Sequence, residues 1–142
     1  MTTLDITRTI DIKARPEKVW AALTEPDLVS QWFGDTCELD ATPGGSGRFG
    51  WTEHGADFRV VVEIADRPKT LVYRWARESG VDPVRGNSTV VRFDLTEIEG
   101  GTRLTLLETG FDDLPEPDAA HSDNTGGWRA ELAELVEFVE RA

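Results

Sequence analysis

Apolar and polar residues alternate through most of this chain, and the period changes at two places. Leu4, Ile6, Ile10 and Ile12 alternate with Asp5, Thr7, Thr9 and Asp11, the pattern of a half-buried strand. Arg8 interrupts the apolar phase of that strand. From Pro16 the spacing becomes helical: proline can open a helix, and Val19, Trp20 and Leu23 recur on one side. Thr24 is placed to cap a second short helix with Pro26 in its first turn, and Leu28, Val29, Trp32 and Phe33 form its apolar side before Gly34 ends it.

Strands follow. Pro43-Gly44-Gly45-Ser46-Gly47 reads as a hairpin turn, since its spacing fits neither common phosphate loop and no lysine follows. Residues 48–53 predict a strand bearing Phe49 and Trp51. The next alternates Phe58, Val60, Val62 and Ile64; another alternates Leu71, Tyr73 and Trp75. Thr89, Val91, Phe93 and Leu95 alternate again, and after the hairpin signal Glu99-Gly100-Gly101 come Leu104 and Leu106, with Glu108 on their phase. Residues 112–123 are rich in Pro, Asp and Glu and read as a loop. Gly126-Gly127 then leads into a long amphipathic helix with Trp128, Leu132, Leu135, Val136 and Val139 on its stripe and Glu131, Glu134 and Glu137 on its solvated side.

Short glycine turns make neighbouring strands antiparallel, and nearly every strand has one apolar face that something must cover. The C-terminal helix is the only element long enough. The expected class is α+β: an antiparallel sheet of about six or seven strands against one long C-terminal helix, with two short helices after the first strand. The 142 residues fit a single domain spanning 1–142.

Composition narrows the partners. A net charge of −12 repels phosphate backbones and argues against nucleic-acid binding. No apolar run reaches the roughly 20 residues that span a bilayer, which argues against membrane insertion. The N-terminus has no basic stretch followed by an apolar core, so a cytoplasmic location is expected. Cys37 is the sole cysteine and reads as a structural thiol; it allows neither an internal disulfide nor a cysteine-cluster metal site, and no cofactor or metal is expected.

Rings are the main functional signal, with five tryptophans in so short a chain. Trp32, Phe49, Trp51, Phe58, Tyr73, Trp75, Phe93 and Trp128 either fill the core or line an apolar pocket. Arg8 and Glu108 are candidate polar anchors, because a charge on an inward face is costly unless paired. His54, beside a glycine turn, is a possible rim base or an exposed turn residue. No residue is assigned a catalytic role.

Ile10-Asp11-Ile12-Lys13-Ala14-Arg15-Pro16-Glu17-Lys18-Val19-Trp20-Ala21-Ala22-Leu23-Thr24-Glu25-Pro26 resembles the opening of START-like (SRPBCC) proteins. Gln31-Trp32-Phe33-Gly34, Gly101-Thr102-Arg103-Leu104-Thr105-Leu106 and Gly127-Trp128 fit the branch related to the activator of heat-shock-protein-ninety ATPase (AHSA-type). The resemblance covers essentially the whole chain and implies a helix-grip fold, in which a curved sheet holds a cavity against the terminal helix. It implies that the strands of Arg8 and Glu108 are neighbours, so these two are expected to approach each other at the pocket wall. It also implies binding of a hydrophobic or aromatic small molecule such as a lipid or polyketide. A cyclase or dehydratase using the pocket's polar residues and a chaperone-interacting module are the alternatives, and a homodimer is possible.

Overall fold

The structure is a computed structural model and describes residues 4–141. Its elements are β1 (Ile6–Ile12), α1 (Pro16–Thr24), α2 (Pro26–Val29), β2 (Thr36–Leu39), β3 (Ser46–Trp51), β4 (Ala56–Asp66), β5 (Thr70–Ala76), β6 (Ser88–Ile98), β7 (Gly101–Thr109) and α3 (Pro117–Arg141). One seven-stranded sheet runs in the order β1-β7-β6-β5-β4-β3-β2, antiparallel at every pairing. Chain reversal between consecutive strands, by short turns except for the longer loop between β5 and β6, accounts for every neighbour except β1, which closes beside the last strand. The curved sheet packs its apolar face on α3, whose Trp128, Leu132, Leu135 and Val139 are all buried. Among the described residues no helix is long and apolar enough to cross a membrane.

Four local features differ from the sequence reading. Thr24 caps nothing: Glu25 precedes α2, and the Thr24 hydroxyl donates back to the Trp20 carbonyl at 2.8 Å, the local bond that competes with capping. In β4 a bulge between Val62 and Ile64 shifts the register. The extra residue reverses the alternation, so Ile64 lies 41% exposed and Ala65 takes the inner side.

Helix α3 starts at Pro117, nine residues before Gly126. Proline and Asp118 suit a first helical turn, and buried Ala120 anchors it, so the acidic stretch taken for a loop is partly helix. Gly126 and Gly127 therefore lie inside α3, where each costs roughly 0.5–1 kcal/mol against alanine. Glu131, placed on the solvated side by the shorter helix, is half-buried.

Phe33 is the hub of the aromatic core. It stacks on Trp128 (5.5 Å between centroids, 2° between planes) and meets Phe49, Trp51 and Trp75 edge-on at 5.0, 5.1 and 5.8 Å. Gly34 makes this placement possible: its φ of +69° turns the chain toward β2, and a Cβ there would collide with the Gly50 carbonyl oxygen.

Candidate functional site

The strands end unevenly at the edge of the sheet that carries the C-termini of β3 and β5 and the N-termini of β4 and β6. Register sets Trp51 opposite Ala56, Phe49 opposite Phe58 and Trp75 opposite Thr89. Side chains on the inner phase at this end face Phe33 and the N-terminal half of α3. A cleft of about 380 Å³ opens there, lined by Trp51, His54, Ala56, Phe58, Trp75, Ala76, Arg77, Thr89 and Asn124. A smaller hollow of about 120 Å³ shares Trp51, Trp75 and Asn124 as a common wall and adds Phe33, Gly127, Trp128 and Glu131.

The candidate rings divide by their distance from this edge. Trp51, Phe58 and Trp75 line the cleft and are half-buried. Trp128 is buried and reaches the smaller hollow. Phe49, Tyr73 and Phe93 lie one step deeper, at most 3% exposed, and pack on one another as core. Trp32 is core as well, its indole N–H donating to the Ala22 carbonyl at 2.8 Å.

The expected pairing of Arg8 with Glu108 is absent. Register places Arg8 opposite Leu106 and Glu108 opposite Ile6. The Glu108 carboxylate instead turns toward β6 and α3, where neutral donors satisfy it. Its Oε2 accepts from the Thr89 hydroxyl (2.5 Å) and the Asn124 amide (2.9 Å), and its Oε1 from the Trp128 indole N–H (2.8 Å). Glu108 is fully buried. Desolvation raises its pKa above the ordinary carboxylate value, against the opposing pull of those three hydrogen bonds and of the Arg77 charge. Arg8 stays half-buried on the inner phase of β1, away from the cleft wall.

This network fixes the polarity of the cleft floor. The Thr89 hydroxyl and an Asn124 N–H donate to Glu108, so the Asn124 amide oxygen and the Thr89 lone pairs remain as acceptors. Donors come from Arg77, which is held by Asp123 at 2.8 Å, and from the Trp75 indole N–H, which is buried and has no protein partner. Cys37 lies outside the cleft; burial pushes its thiol up to about 11, leaving it a poor nucleophile. Among the described residues no three His, Cys, Asp or Glu side chains are grouped to hold a metal ion.

Sequence reasoning missed Arg77, Asn124, Thr89 as a site residue, and Phe33 as the hub. Arg77 continues the inward phase of Leu71, Tyr73 and Trp75, a signal that was legible. Asn124, Gly127, Trp128 and Glu131 follow one face of α3 at helical spacing, a signal hidden by starting the helix too late.

A family model described as activator of Hsp90 ATPase homolog 1-like protein matches residues 13–140. The chain belongs to that family. Its helix-grip, START-like architecture recurs in the solved structures. Protein MLL2253 from Mesorhizobium loti is 25% identical over 97% of this chain and 98% of its own, with a TM-score of 0.84. The Aha1 dimer from Colwellia psychrerythraea is 25% identical over 99% of this chain and 97% of its own, with a TM-score of 0.79. DynU16, a protein of the dynemicin biosynthetic locus, is 26% identical over 98% of this chain but only 48% of its own length, with a TM-score of 0.81. A search of curated proteins found no match. In this family member the cleft and its Glu108 network lie where the terminal helix meets the open end of the sheet.

Proposed function

We propose that this chain binds an apolar, ring-bearing small molecule in the 380 Å³ cleft and holds it without transforming it. The observation that carries this reading is the wall of Trp51, Phe58 and Trp75 facing a short polar edge of Arg77, Thr89 and Asn124. Such a lining supplies apolar area for affinity and a few directional groups for orientation. A ligand acceptor, such as a carbonyl or phenol oxygen, suits Arg77 and the Trp75 N–H; a ligand hydroxyl donor suits Asn124. Holding rather than catalysis is favoured because Glu108, the one fully buried carboxylate among the described residues, does not line the cleft and already accepts three hydrogen bonds. His54 at the rim is exposed. The ring-lined wall makes polycyclic aromatic compounds, polyketides among them, the first ligand class to try.

The test is a titration of polycyclic aromatic polyketides and fatty acids, read by tryptophan emission and calorimetry, on the wild type and on Ala56→Trp. Saturable binding that the cleft-filling variant loses while melting normally, with the compound recovered unaltered, is the expected result. A recovered product of changed mass would replace holding by catalysis. Binding equal in wild type and variant would place the ligand elsewhere.

By analogy with the Colwellia protein, we propose a homodimer in solution. Light scattering that gives a monomer mass at every concentration would refute it. The family description motivates a second reading, stimulation of a chaperone ATPase. An ATPase assay with the host chaperone, unaffected by Ala56→Trp, would favour it over small-molecule holding.

A further inference from the structure

The smaller hollow differs in chemistry from the cleft beside it. Its walls are the stacked pair Phe33 and Trp128, 2° apart in plane, with Trp51 standing at 77° to Phe33 and Trp75 at 64° to Trp128. Its polar end is Glu131, whose Oε2 is buried and accepts no hydrogen bond from the protein. A buried anionic oxygen without a donor is costly unless a cation joins it. Aromatic rings attract organic cations through their negative faces, and a carboxylate adds full charge.

The surroundings point the same way. Asp35, Glu53 and Glu134 line the adjoining surface together with Glu131, with His54 the nearest cationic candidate. That rim draws cations from solution and repels an anionic bilayer. Gly127 borders the hollow inside α3, and a Cβ there would meet no atom within 4 Å. Glycine in a helix interior is destabilising, and no packing constraint requires it here. Glycine at this position adds no side chain at the border of the hollow.

We propose that the hollow is an aromatic cage for a free, small methylated ammonium group, with Glu131 as its counter-charge. The cage stands independently of whatever the cleft holds. Because burial and the Glu134 charge push the Glu131 carboxyl up to about 7, cation binding is coupled to its ionisation. The bound cation favours the carboxylate, so affinity rises with pH until Glu131 is ionised. The ionised fraction passes from about one-tenth at pH 6 to about nine-tenths at pH 8, so Kd falls about tenfold across that interval.

The probe is tetramethylammonium chloride, followed by calorimetry and tryptophan emission at constant ionic strength, with tert-butanol as a neutral molecule of similar size. The wild type should bind the ammonium saturably, about tenfold more tightly at pH 8 than at pH 6, and tert-butanol negligibly. Glu131→Gln should weaken binding at pH 8 by about tenfold or more and abolish its pH dependence. Gly127→Leu, which fills the hollow and retains Glu131, should also lose binding; its melting curve shows that it folds. Equal affinity for tert-butanol, unchanged affinity in Glu131→Gln, or no saturable response from folded wild type would each overturn the proposal.

Discussion

Replacing Glu131 by glutamine should stabilise the unliganded protein, by an amount that depends on pH. The side chain is half-buried, one of its oxygens has no partner, and Glu134 lies close by. Its carboxyl moves from 4.5 up to about 7, with desolvation as the larger cause and the Glu134 charge second. A raised carboxyl means that the folded state binds the proton more tightly than the unfolded state. Stability is therefore full below the unfolded value near 4.5 and declines as pH rises toward the folded value near 7. The interval corresponds to at most about 3.4 kcal/mol at 1.36 kcal/mol per pH unit. Solvent reaching the exposed half of the side chain screens much of this, leaving about 1–2 kcal/mol. Urea unfolding of wild type and Glu131→Gln at pH 4.5, 6 and 8, followed by tryptophan emission, measures the difference. The variant should match the wild type near pH 4.5 and exceed it by about 1–2 kcal/mol at pH 8. Glu108, whose carboxyl is also raised, remains in both proteins and cancels from the comparison. A gain of equal size at every pH would show that the charge is not the cause. A loss at pH 8 would show that the oxygen has a partner that glutamine cannot serve.

Glu108→Ala should cost about 3 kcal/mol or more in urea unfolding, because it strands the Thr89, Asn124 and Trp128 donors at a buried position. Gly126→Ala should stabilise the protein by about 0.5–1 kcal/mol, since the helix continues through it and its Cβ would meet nothing within 4 Å; thermal unfolding checks this. Cys37, with its thiol pushed from 9.0 up to about 11, should react with iodoacetamide at pH 8 roughly a hundredfold more slowly than an unhindered thiol, and denaturation should restore the rate. Phe33→Ala should lose about 3–5 kcal/mol, because it removes the ring that Phe49, Trp51, Trp75 and Trp128 all touch.

The fold was legible because period-two alternation and glycine turns specify an antiparallel sheet nearly strand by strand, and the stripe from Trp128 to Val139 specifies what covers it. Two things were not legible. The bulge beside Ile64 depends on how β4 meets β5, which a single strand's pattern does not contain. The division of the rings into cleft and core was hidden for a similar reason. Alternation places Phe49, Trp51, Tyr73 and Trp75 all inward, and only the register shows that Trp51 and Trp75 sit where the strands run out while Phe49 and Tyr73 do not. The Arg8–Glu108 pairing failed because an inward charge does not require a charged partner. Three neutral donors from β6 and α3 satisfy Glu108 equally well.

Glu108 and Glu131 show how a structural carboxylate differs from one left available to a ligand. Both are raised by burial, and both lie close to Trp128. Direction of titration therefore does not separate them, and depth of burial ranks them the wrong way, since the deeper one is the less available. What separates them is acceptor capacity. The two oxygens of Glu108 accept three donors from β6 and α3, so this group locks the helix to the sheet and orients the cleft's polar floor. Glu131 keeps a buried oxygen without a donor, beside a helix glycine that leaves the space before it empty. A buried acceptor that the fold has already satisfied has little left to give a ligand, whereas an unsatisfied one is destabilising until something arrives. By that criterion Glu108 belongs to the scaffold, and the proposed recognition chemistry of this end of the molecule falls to Glu131, Arg77, Trp75 and Asn124.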